Sequence, residues 1–111
     1  MLSMKRWFKE QLSQAELSLR HYSVHAVQQD RGNGNYGVDY YRANNPKAPP
    51  VATLDGDRLI YLDQGIPQEQ VENHACAFRA LLGRVTGMTI VKPVTAEDAK
   101  VLALRAHLLA S

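Results

Sequence analysis

His21 and His25 stand four residues apart in HYSVH, and His74 and Cys76 stand two apart in NHAC. Imidazole nitrogens and thiolates are the ligands zinc favours, and four of them could close a tetrahedral site with donors at about 2.0–2.3 Å. Spacing decides whether they converge. A helix brings residues i and i+4 over one ion, whereas a strand holds them about 13 Å apart, at roughly 3.3 Å per residue. Around the first pair Tyr22, Val24 and Ala26 alternate with Ser23, His25 and Val27, which predicts a strand that keeps the imidazoles apart. His74 and Cys76 fall within a helical pattern, where side chains at i and i+2 do not face each other. No metal and no other cofactor is therefore expected. His74 is expected as a partly buried core histidine with a hydrogen-bond partner, and Cys76 as a small residue at or near the surface.

Acid–base chemistry needs two groups within hydrogen-bonding reach of one substrate atom. Asp39, Asp55, Asp57, Asp63 and His25 belong to the same half of the chain, but no spacing among them requires such convergence, and Asp55 and Asp57 are explained by turn chemistry. Cys76 has no helix N-terminus or strand-to-helix elbow to activate it. The Gly32-Asn33-Gly34 run leads into a strand, whereas phosphate loops open helices. A small nuclease-like activity using Arg, Tyr and His is the nearest catalytic alternative; the chain is expected to be non-enzymatic.

The elements that would position these residues follow from periodicity. Met4, Phe8, Leu12, Ala15 and Leu19 recur at helical spacing and predict a helix over the first twenty residues. Lys5, Lys9 and Arg20 beside that stripe would suit an acidic membrane surface, but Glu10 and Glu16 dilute the charge, so a docked surface helix is expected. The alternation from residue 21, the RGNG turn and the run NYGVDYYR predict one hairpin, and VATLDGDRLIYL, with Asp55-Gly56 at its tip, predicts a second. ANNPKAPP between them, with three prolines, is an extended connection. Pro67 opens a second helix whose stripe is Val71, Ala75, Phe78, Leu82 and Val85. MTIVKPV reads as a short strand, and Thr95 with Asp98 as the cap of a last helix reaching about Ala110. The expected order is α-β-β-β-β-α-β-α, an α+β fold with an antiparallel sheet of four to five strands and three helices packed on it.

Composition sets outer bounds. At 111 residues the chain makes one compact domain, and 45% hydrophobic with 22% charged residues is the balance of a folded protein. A net charge of +2 and a pI near 8.8 fall short of the pI above about 9 that marks a nucleic-acid footprint. A single cysteine fits a reducing compartment, and no apolar run is long enough for a signal peptide or a membrane span. A cytoplasmic protein without membrane attachment is expected.

Two binding surfaces remain. In the last helix Val101, Leu104 and Leu108 form one apolar face and Leu102, Ala106 and Leu109 another, with Arg105 between them. One stripe suffices to dock a helix on a sheet, so Leu102, Arg105, Ala106 and Leu109 are the candidate interface for a protein partner or a homodimer. The alternative is a nucleic-acid surface in which Tyr41 stacks a base while Arg31, Arg42 and Arg58 hold phosphates; Tyr36 and Tyr40 are expected instead to pair across strands over the core. The expected function is a non-enzymatic interaction or regulatory protein that self-associates through its last helix.

Overall fold

A computed structural model describes residues 4–32, 34–63, 65–84, 87–92 and 104. The first helix, α1, spans Met4–His21. Arg20 and His21 lie in its last turn, where cations complement the carbonyl end of the helix. Ser23 then takes φ +59, the left-handed conformation that ends helices and reverses the chain. Strand β1 (Val24–Asp30) follows at once and pairs antiparallel with β2 (Tyr36–Arg42). β3 (Ala52–Asp55) and β4 (Arg58–Tyr61) form the second hairpin around Gly56, which takes φ +62 as the tight turn demands. Helix α2 (Gln68–Leu81) leads to β5 (Thr89–Val91).

The five strands lie in chain order, β1-β2-β3-β4-β5, in one sheet. Here the structure corrects the expected antiparallel sheet: β5 pairs with β4 in parallel, so the sheet is mixed. The cause is α2, which carries the chain back along β4 so that the next strand resumes the same direction, the crossover that parallel pairing requires. The architecture is α+β with two helices among the described residues. The expected third helix, residues 95–110, lies outside them except for Leu104, which is helical and 61% exposed.

Register explains which residues became core. Val24, Val38, Tyr40, Ala52, Leu54, Leu59 and Tyr61 share one face of the sheet and are all buried. Against them pack Leu12 and Leu19 of α1 and Val71, Ala75 and Phe78 of α2. Both helices therefore contribute to a single core on one face of the sheet. Among the described residues no helix is long and apolar enough to cross a membrane.

A second correction concerns the first histidine pair. His21 closes α1 rather than beginning a strand, because the left-handed turn at Ser23 comes two residues later than the alternation suggested. His25 lies in β1, on the face away from the helices.

Candidate functional site

The face of the sheet away from the helices carries Val27, Asp39, Thr53, Ile60 and Val91 in one cross-strand row, with Gly37, Asp55 and Arg58 in the next. Arg31, at the end of β1, folds back over this face. Its Nη2 donates to Asp39 Oδ1 at 3.1 Å, to Thr53 Oγ1 at 3.1 Å and to the Leu54 carbonyl at 3.3 Å, while Nε lies 3.7 Å from Asp55 Oδ1. Thr53 Oγ1 in turn donates to Asp39 Oδ1 at 2.6 Å. Asp39 is only 2% exposed. The backbone of Gly37 makes room for the guanidinium: a Cβ there would lie 2.5 and 2.8 Å from Arg31 Nε and Nη2.

This geometry redistributes the candidate nucleic-acid residues. Tyr41 and Arg58 share the open face, Arg58 exposed and Tyr41 half-buried. Burial first, then the Asp39 charge, raises the Tyr41 phenol above its ordinary pKa. Arg31 is committed to Asp39. Arg42 points to the other face and donates to Asp63 at 2.9 Å. The four residues do not form one cationic surface. Tyr40 is buried over the core, whereas Tyr36 is 45% exposed.

His74 is fully buried, as its place on the apolar stripe of α2 predicts, and its partner is Tyr40, 2.9 Å from Nδ1. The Glu16 carboxylate stands 3.9 Å from Nε2. That negative charge favours the tautomer with its proton on Nε2, so the Tyr40 hydroxyl donates to Nδ1. Desolvation lowers the His74 pKa to about 4, so the ring is neutral at physiological pH. Cys76, two residues on, is exposed. Among the described residues no group of three or more His, Cys, Asp or Glu side chains could hold a metal ion.

The remaining feature is the outer edge of β1. Among the described residues β1 pairs with β2 alone. The bonds from Arg31 N to Asn35 O and from Ala43 N to Ser23 O, both 2.8 Å, show that odd-numbered residues carry the β1–β2 ladder. Antiparallel strands alternate, so Val24, Ala26, Gln28 and Asp30 turn their N–H and C=O groups outward. Alongside them runs a groove of about 330 Å³ lined by Val24 to Gln28 and, from α1, by Glu16 and Arg20. No spacing rule in the sequence pointed to this groove, since it depends on α1 folding back over β1. The expected interface residues Leu102, Arg105, Ala106 and Leu109 lie outside the described residues. No protein-family model, no curated protein and no solved structure matches the chain.

Proposed function

We propose that this protein is a non-catalytic interaction protein that takes an extended segment of its partner onto the β1 edge. The observation that carries this reading is the run of outward-facing backbone groups at Val24, Ala26 and Gln28 beside a groove walled by Glu16 and Arg20. Strand addition of this kind draws affinity from main-chain hydrogen bonds and specificity from flanking side chains. The edge is also unprotected. Sheet edges are ordinarily blunted by Lys, Pro, bulges or brevity; β1 has seven residues in unbroken register, with neither Lys nor Pro.

Catalysis has less support. The one histidine with a relay-like arrangement, His74, is sealed from solvent and cannot reach a substrate proton without the core opening. A nucleic-acid role would have to rest on Tyr41 and Arg58 alone. A cytoplasmic setting accords with the single cysteine.

The test is a selection of extended peptides from a displayed library, followed by amide exchange on the complexes. Bound peptides should protect the Ala26 and Gln28 amides. Gln28→Pro should abolish binding, because proline removes an outward N–H while leaving the β1–β2 ladder whole. Binding that survives Gln28→Pro, or that protects the Tyr41 face instead, overturns the reading.

A further inference from the structure

The groove and the strand edge have a two-fold pattern of their own. Resting on the strand-docking reading above, we infer that the occupant of the β1 edge is the β1 strand of a second copy, related by a two-fold axis beside Ala26. Outward-facing residues pair with outward-facing residues, so an antiparallel β1–β1 ladder centred there sets Val24 opposite the partner's Gln28 and Ala26 opposite the partner's Ala26. A two-fold contact must be self-complementary, and the wall of the groove meets that demand. Arg20 lies at the Val24 end, its carbonyl accepting from Ser23 N at 3.0 Å. Glu16 is one helical turn back, about 6 Å along the axis at roughly 1.5 Å per residue. The groove reaches to Gln28. Reversing the direction across the axis brings Arg20 of each copy toward Glu16 of the other, so two opposite-charge pairs form where a parallel arrangement would set like charges together.

Leu17 strengthens the case for a second copy over an isolated peptide. It is 56% exposed and, three residues from Arg20, occupies the outer flank of α1. A peptide strand alone would leave it in water. A second copy brings its own α1 alongside, and Leu17 then meets the partner's Leu17 near the axis. The other outer edge of the sheet lacks these features, since β5 has only three residues and is followed in the chain by Lys92 and Pro93.

Sedimentation velocity over a dilution series tests this with charge variants. Glu16→Lys alone and Arg20→Glu alone should each weaken the dimer about tenfold, the effect of losing two exposed ion pairs. Mixing the two variants should restore wild-type affinity. In the mixed dimer both positions of the Glu16→Lys chain are cationic and both positions of the Arg20→Glu chain are anionic, so each cross-axis pair again joins opposite charges. Gln28→Pro should give a monomer with an unchanged far-ultraviolet spectrum. A wild type that stays monomeric throughout, a dimer indifferent to Gln28→Pro, or a mixture no tighter than its components overturns the inference. Should Glu16→Lys fail to fold, Gln28→Pro decides alone. A monomer that still binds displayed peptides in a Gln28→Pro-sensitive way overturns the second copy as occupant and leaves the docking reading standing.

Discussion

The Tyr40 hydroxyl and His74 Nδ1 are 2.9 Å apart, a fully buried polar link between the centre of the sheet and α2 inside a largely apolar core. Fixing the ring this way turns its second nitrogen toward Glu16 and makes the core of the protein sensitive to acid.

Burial lowers the His74 pKa from 6.5 to about 4. Between those values the unfolded chain binds a proton that the folded one refuses, so stability rises with pH across the window. It is complete above pH 6.5 and lost as pH falls toward 4. The whole window is worth about 3 kcal/mol. Urea denaturation at a series of pH values should show this slope, and His74→Phe should flatten it. Equal slopes in wild type and variant would contradict the assignment.

Arg31 and Arg42 each face one aspartate but should differ in their contribution. Removing Arg31 strands the charge of Asp39, 2% exposed, whereas Asp63 beside Arg42 is 48% exposed. Arg31→Met should therefore cost about 3 kcal/mol of stability and Arg42→Met less than about 1 kcal/mol. Denaturant midpoints of the two variants measured together decide it, and equal losses would count against a structural role for the Arg31 cluster.

Gly37→Ala should also destabilise, by roughly 2 kcal/mol, because the methyl group meets the Leu54 carbonyl and the Arg31 guanidinium in a filled space. The loss should shrink in the background of Arg31→Met, where one of the two obstacles is gone. Additive losses would show that the clash is with β3 alone.

How far the sequence could be read depended on whether a feature was local. Both hairpins, the apolar stripes of α1 and α2 and the buried fate of His74 follow from periodicity and turn chemistry within a dozen residues. The end of α1 at His21 was misjudged, since a left-handed serine has no composition signal as strong as glycine at such a position. The parallel pairing of β5 was implicit in a strand–helix–strand order, but three residues of strand carry too little pattern to show their direction. Asp39 did leave a trace: aspartate is depleted in strands, so one between Val38 and Tyr40 signals a partner. Which arginine supplies it depends on a fold-back of eight residues that no spacing rule specifies. The β1 groove, built by two elements in contact, was beyond reading for the same reason.

The brevity of β5 limits how large any assembly can grow. If two copies join through β1, the product is a continuous ten-stranded sheet whose outermost strands are both β5. Three residues offer a newcomer little to hydrogen-bond, so the two ends act as terminators. Joining at one long edge and stopping at two short ones makes a closed particle rather than a fibre. The same reasoning gives β1 a liability. At concentrations where copies are separated, or after a change such as Gln28→Pro that blocks pairing without covering Leu17, an unguarded strand edge or an apolar flank is left in water. Loss of the partner should then show itself as lower solubility.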